Sequence, residues 1–260
     1  MCSKLEAEGI LATLDHLGES VTSLEEAAAA RDDYLAALER ICALALPATV
    51  SVKLTQLGLD FSEEACRANV EQLVEQARRM NSRVEVDMES SEYVDRTLRL
   101  VSGLHARHAS VRAVIQAYLY RSESDIQTLC SQGVPVRLCK GAYKEPADLA
   151  FPKKKDVDAN YARLMIQLLD HGVCPALATH DENMLRQAIA HIRERNIPLD
   201  RFEFQMLYGV RRDLQRRLVA SGFRLRLYVP YGKAWYPYFM RRLAERPANV
   251  LFLVRSLLKN

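Results

Sequence analysis

The sequence has no C-x-x-C pair and no H-E-x-x-H, although six cysteines occur, at Cys2, Cys42, Cys66, Cys130, Cys139 and Cys174. That excludes the zinc-ribbon and metalloprotease patterns, and no metal is expected. Several of these cysteines lie in apolar runs and read as reduced core residues, which suits a cytosolic protein. Long hydrophobic runs are also missing. The longest, residues 41–52, is interrupted by Pro47, Thr49 and Ser51, too short to span a bilayer. The opening residues 1–8 are too charged for a signal peptide. No G-x-G-x-x-G turn is present, which counts against a doubly wound dinucleotide-binding sheet. Net charge is only +3, too small to argue for nucleic acid. The basic run Arg211, Arg212, Arg216, Arg217, Arg224 and Arg226 reads as a solvated face.

What remains is an ordinary globular composition, 49% hydrophobic and 27% charged over 260 residues. Strand patterns occur at residues 9–14, 49–54, 83–87, 111–119, 134–139, 174–179, 201–205 and 224–229. Helical periodicity fills the intervals, at about 24–44, 62–80, 90–105, 122–133, 158–171, 181–196 and 209–220, then 234–246 and from 249 onward. Ser62 and Asp181 are good N-caps. This alternation at β-α spacing predicts one α/β domain over residues 1–260, a distorted (βα)8 barrel. No Gly/Ser linker, composition shift or strong repeat divides it. The last barrel helix is expected to cap the C-terminal ends of the strands.

The stretch from Tyr228 to Asn249 organises this reading. A strand breaks at Pro230 and Gly232. Tyr231, Trp235, Tyr236 and Tyr238 follow, and then a helix carries Arg241 and Arg242, with Glu245 one turn beyond Arg241. Arginine forks suit carboxylate or phosphate, and aromatic walls strengthen such contacts by excluding water. In a barrel of this kind, active sites sit at the C-terminal strand ends. Those positions hold Lys53, Asp87, Gln116, Arg137, Lys140, Thr179, His180, Gln205 and Tyr228. Cations outnumber acids among the candidates, so an anionic ligand is implied. No Ser-His-Asp set is apparent, and any redox chemistry has to come from a cofactor.

Seven motifs, in order, resemble proline dehydrogenase: Val50-Ser51-Val52-Lys53-Leu54, Val86-Asp87-Met88-Glu89, Ile115-Gln116-Ala117-Tyr118, Val136 to Tyr143, Ala178-Thr179-His180-Asp181, Phe202 to Gly209, and Tyr238 to Glu245. The resemblance runs from about Leu11 to the end. It implies a distorted (βα)8 barrel that binds FAD, oxidises L-proline to Δ1-pyrroline-5-carboxylate and passes electrons to a membrane quinone. This is the first step of proline catabolism to glutamate, with a separate pyrroline-5-carboxylate dehydrogenase as the candidate partner. The expected location is the cytoplasm, peripheral at the inner face of the membrane.

The same resemblance implies residue roles. Lys53, Arg241 and Arg242 hold the proline carboxylate. Tyr143, Leu207 and Tyr228 shape the ring pocket, and Glu245 pairs with Arg241. Asp87 matches the active-site aspartate, and Arg137 lies on the flavin N5 side. Met88, Gln116, Lys140, Gly141, Ala142, Thr179 and His180 match FAD-contacting positions. Set against some relatives, the sequence starts its first strand early and carries Lys144 for Trp and Asp181 for Asn, and a reduced form of the domain without an aldehyde dehydrogenase module is expected. Two other readings compete. One is a Schiff-base aldolase barrel using Lys140 or Lys53 as the amine. The other is a non-enzymatic basic protein that binds polyanions through residues 211–226.

Overall fold

Three of the strands are buried at every position: Ala48–Val52, Val84–Val86 and Val111–Gln116. Burial on both faces is what parallel strands covered by helices require. In the computed structural model, which describes residues 1–18 and 21–232, eight parallel strands close into a barrel in sequence order. They are β1 (Leu11–His16), β2 (Ala48–Val52), β3 (Val84–Val86), β4 (Val111–Gln116), β5 (Val136–Cys139), β6 (Ala176–Ala178), β7 (Glu203–Leu207) and β8 (Leu225–Tyr231). The helices are α1 (Cys2–Ala7), α2 (Leu24–Ala43), α3 (Glu63–Arg79), α4 (Val94–His108), α5 (Ser122–Ser131), α6 (Lys154–His171), α7 (Glu182–Glu194) and α8 (Arg212–Ala220). Trp235, Tyr236, Tyr238, Arg241, Arg242, Glu245 and the expected capping helix lie outside the described residues.

Local chemistry explains the helix starts. Ser23 and Ser62 accept the amides of Glu26 and Ala65 at 3.2 Å, and Asp181 accepts that of Asn183 at 3.0 Å. Each satisfies an amide that the first helical turn leaves without a partner. α3 buries Cys66, Val70, Leu73, Val74 and Ala77, one stripe at helical spacing. These residues join the outward apolar positions of the strands, such as Val50, Val52, Val84, Val86 and Phe204, in the hydrophobic core.

The alternate strand positions face the barrel interior, and there this fold departs from common practice. Barrel interiors are usually filled by Val, Ile and Leu. Here they carry Thr13, Asp15, Thr49, Ser51, Glu85, Asp87, Arg112, Arg137, Glu203, Gln205 and Arg226, all buried.

Several boundaries shift from expectation. α1 had no counterpart in the sequence reading; Gly9, at φ +71°, turns it into β1. β8 continues through Pro230 instead of stopping before it. Beyond Tyr228 its register runs with β1 alone, opposite Asp15 and His16, so the missing proline N–H breaks no bond to β7. β4 ends at Gln116, earlier than the apolar run suggested, and α6 starts at Lys154 within the expected charged loop. Among the described residues, no helix is long and apolar enough to cross a membrane.

Candidate active site

Strand order brings four of the expected residues together at the C-terminal mouth. Asp87, at the end of β3, accepts the Tyr228 hydroxyl from β8 at 2.7 Å and the Ser51 hydroxyl from β2 at 2.9 Å. The Arg137 guanidinium from β5 also donates to Asp87, and it lies 5.3 Å from the centre of the Tyr228 ring. Lys53, just past β2, sits 3.7 Å from Asp87 and 3.4 Å from Asp15 on β1. Asp15 is wholly buried, and one of its carboxylate oxygens has no hydrogen-bond partner. Leu207 ends β7 beside Tyr228 in register and is half-buried. Tyr143 is exposed on the loop after β5.

The positions expected to contact a cofactor cluster at the ends of β3 to β6, four neighbouring strands. Lys140 projects its ammonium between Asp158 (2.5 Å) and Asp181 (2.8 Å). Burial raises the pKa values of both carboxyls, but the Lys140 ammonium more than offsets this and holds them below the usual range. Thr179 is buried and its hydroxyl accepts the Asp181 amide at 3.0 Å. His180 Nε2 accepts the Leu207 amide at 2.9 Å, so the neutral ring carries its proton on Nδ1. Gln116 donates to the Glu89 carbonyl at 2.8 Å, and Met88 is buried beside it in sequence. Gly141 has φ +109°, and a Cβ there would fall 2.2 Å from the Tyr118 ring. Only glycine permits that turn and that approach. Ala142 next to it is exposed.

Beneath the mouth the interior charges continue without a gap. Glu85 accepts from Arg137 at 3.0 Å through one oxygen and from Arg112 at 3.3 Å through the other. Glu203 accepts from Arg112 at 2.6 Å, from Arg226 at 2.9 Å and from Gln205 at 2.8 Å. Burial drives both glutamates toward the neutral form, but the surrounding guanidiniums win. Glu85 is held at about 2, and Glu203 lies well below the usual carboxylate range. Along this column the acids Asp15, Glu85, Asp87 and Glu203 face Lys53, Arg112, Arg137 and Arg226 in equal number.

Sequence reasoning missed Asp15, Glu85 and Arg112, and it misread Arg226. That arginine is not part of a solvated face: it is buried in the barrel and bonded to Glu203. Its even-numbered register with Tyr228 on β8 was the available signal. Arg217, by contrast, is exposed, as the charge run suggested.

The sequence model of the family described as proline dehydrogenase matches residues 1–255. The chain belongs to the proline dehydrogenase family. As such it is an oxidoreductase. It is 41% identical to proline dehydrogenase 2 of Bacillus subtilis strain 168 over 98% of its own length and 84% of that protein. It is also 41% identical to a proline dehydrogenase of Deinococcus radiodurans, again over 98% and 84%. Among solved structures, proline utilization A of Bdellovibrio bacteriovorus, inactivated by N-propargylglycine, superposes with a TM-score of 0.86 at 27% identity. That match covers 93% of this proline dehydrogenase chain and 30% of the larger protein.

Proposed function

We propose that this proline dehydrogenase oxidises L-proline to Δ1-pyrroline-5-carboxylate, with FAD as bound oxidant and a membrane quinone as final electron acceptor. The observation that carries this reading is the meeting of Lys53, Asp87, Arg137 and Tyr228 at one mouth of the barrel. The residues at the ends of β3 to β6 fit a cofactor of this kind. They offer the cations Arg137 and Lys140, the polar groups of Gln116, Thr179 and His180, and a glycine backbone pressed against Tyr118. Arg137, Met88, Gln116, Lys140, Gly141, Ala142, Thr179 and His180 would hold it. FAD supplies the acceptor for the hydride that leaves the ring carbon beside the substrate nitrogen.

The protein's own part is orientation and charge. Lys53, Arg241 and Arg242 bind the proline carboxylate, which fixes the ring carbon. Tyr228, Leu207 and Tyr143 surround the ring, and Glu245 pairs with Arg241. Asp87 anchors both the Tyr228 hydroxyl and the Arg137 guanidinium, so ring wall and cation move as one unit. The reading places the enzyme in the cytoplasm, reaching quinone at the inner membrane face and releasing its product to a separate pyrroline-5-carboxylate dehydrogenase.

A Schiff-base aldolase fits less well. Such an amine is activated by an apolar pocket or by another cation. Lys53 and Lys140 each lie between two carboxylates instead.

The absorption spectrum of the purified protein tests the proposal. It should show the visible bands of oxidised flavin, and anaerobic proline should bleach them. A colourless protein that also fails to take up added FAD overturns the reading. Tetrahydrofuran-2-carboxylate, which lacks the nitrogen lone pair, should bind competitively without bleaching, and prolinamide should bind far more weakly than proline.

A further inference from the structure

The opposite end of the barrel holds a second cluster of cations. A cavity of about 290 Å³ lies at the N-terminal mouth, lined by the first residues of β1, β2, β7 and β8 and by the turns ahead of β2 and β3. Arg83, Arg112, Arg224 and Arg226 line it, together with a single carboxylate, Glu203. Arg112 and Arg226 belong to the balanced interior column. Arg83 and Arg224 are additional. Arg224 donates to the Asp200 carbonyl at 2.8 Å and stays 3.9 Å from Glu203. Arg83 is half-buried and lies within 4.0 Å of no carboxylate among the described residues. Burial and the neighbouring Arg112 push its guanidinium below its ordinary pKa, and the opposing pull of Glu85 and Glu203 does not offset them.

A further polar group points the same way. The Arg112 side chain is 3% exposed, and its Nε–H has no hydrogen-bond partner. Its Nη1 donates to Glu85 and Glu203, and its Nη2 to the Cys174 carbonyl at 3.1 Å. A buried donor left without an acceptor costs free energy that a ligand oxygen would recover. The two extra guanidiniums give the cavity a local surplus of about two positive charges, and planar forks suit tetrahedral and carboxylate oxyanions.

We propose that this cavity binds a small multivalent oxyanion, of phosphate or dicarboxylate type, at a site separate from the proline pocket. Arg83 and Arg224 supply the unbalanced charge, and Arg112 Nε–H supplies the buried donor. The interior column joins the two sites: Arg112 meets Glu85, Glu85 meets Arg137, and Arg137 meets Asp87.

The test is isothermal titration of the FAD-loaded enzyme with inorganic phosphate, and separately with succinate. Tetrahydrofuran-2-carboxylate is kept at saturation to block the proline carboxylate site, and sodium chloride holds the ionic strength constant. One saturable site is expected for at least one anion, and the tighter of the two names the ligand type. Arg83→Met should weaken binding at least about tenfold, or roughly 1.4 kcal/mol. Arg224→Met at the exposed rim should weaken it less. Both variants should keep the wild-type flavin content and KM for proline. The absence of saturable binding by either anion, or equal binding by wild type and the Arg83→Met Arg224→Met double variant, would overturn the proposal.

Discussion

At the C-terminal mouth, Lys53 and Asp87 keep 11% and 12% of their side chains exposed; at the other end of the column, Arg112 and Glu203 keep 3% each. The bonding differs accordingly. Lys53 stands 3.4 and 3.7 Å from its two carboxylates, whereas Glu203 is gripped at 2.6 and 2.9 Å by two guanidiniums. One interior thus carries two kinds of charge. The upper ones sit at strand ends, where a ligand can replace a neighbour or water. The lower ones are closed on one another and hold the barrel together where apolar side chains usually do. How closely a charge is paired, more than its residue type, separates binding from scaffolding.

The largest effect should come from breaking the lower end. Glu203→Ala leaves Arg112 and Arg226 without their shared carboxylate, which for a buried pair costs about 3–5 kcal/mol. Urea unfolding should show that loss, and a loss below about 1 kcal/mol would erase the distinction between the two ends. Replacing Arg112, Glu203 and Arg226 together by apolar residues should recover most of it, because the desolvation penalty goes with the charges.

Acid should act on the same layer. Glu85 and Glu203 have folded-state pKa values below those of the open chain, so the folded state binds fewer protons. Their contribution is complete above the ordinary carboxylate value and is lost as pH falls from about 4.5 toward 2 for Glu85. A urea midpoint measured against pH should fall across that window. In Glu85→Gln the curve should be flatter, since the group no longer titrates. An unchanged slope would mean that Glu85 does not carry the effect.

For Arg242 and Tyr228 the expected signature is reversed: function changes more than stability. Arg242→Met should raise the KM for proline about ten- to a hundredfold, the equivalent of roughly 1.5–3 kcal/mol, with flavin retained. Tyr228→Phe removes the 2.7 Å bond to Asp87. It should raise KM by about tenfold while stability moves by about 1 kcal/mol or less, because Asp87 keeps Ser51 and Arg137. Steady-state kinetics beside urea unfolding separates these outcomes from a general loss of fold.

The barrel itself was legible because eight apolar strand patterns alternate with capped helices, and the strand ends were legible because the fold assigns them to one face. Asp87, Arg137, Lys53 and Tyr228 therefore fell into one predicted group and do meet. Glu85 and Arg226 did not, for a physical reason. A charged residue alternating with apolar ones has the same pattern whether its face is solvent or a closed interior, and only strand closure decides. Arg226 looked solvated because it closes a basic run with Arg216, Arg217 and Arg224 ahead of it, yet register on β8 turns it inward beside Glu203. Short-range patterns also hid α1, six residues with one buried side chain, Leu5. The β8 boundary was misplaced because proline normally ends a strand, and the loss of pairing with β7 could not be seen in advance.

The smallest expected effect sharpens the contrast between the ends most directly. Arg83 and Lys53 are both partly buried cations at the rims of the same barrel, just ahead of β3 and just after β2 respectively. Lys53 is flanked by Asp15 and Asp87. Arg83 has a similar depth and no carboxylate within ion-pair distance among the described residues. Removing Lys53 takes away a counter-charge from the wholly buried Asp15, so Lys53→Met should destabilise by several kcal/mol. Arg83→Met removes a cation that burial opposes, and methionine keeps most of the aliphatic stem packed against its surroundings. In phosphate-free buffer it should therefore leave stability within about 1 kcal/mol of wild type, on the stabilising side. Added phosphate should reverse the order, stabilising wild type by linkage and leaving Arg83→Met almost unchanged. If Arg83→Met were as damaging as Lys53→Met without phosphate, the guanidinium would have a structural role, and pairing with carboxylates would not separate scaffolding from binding.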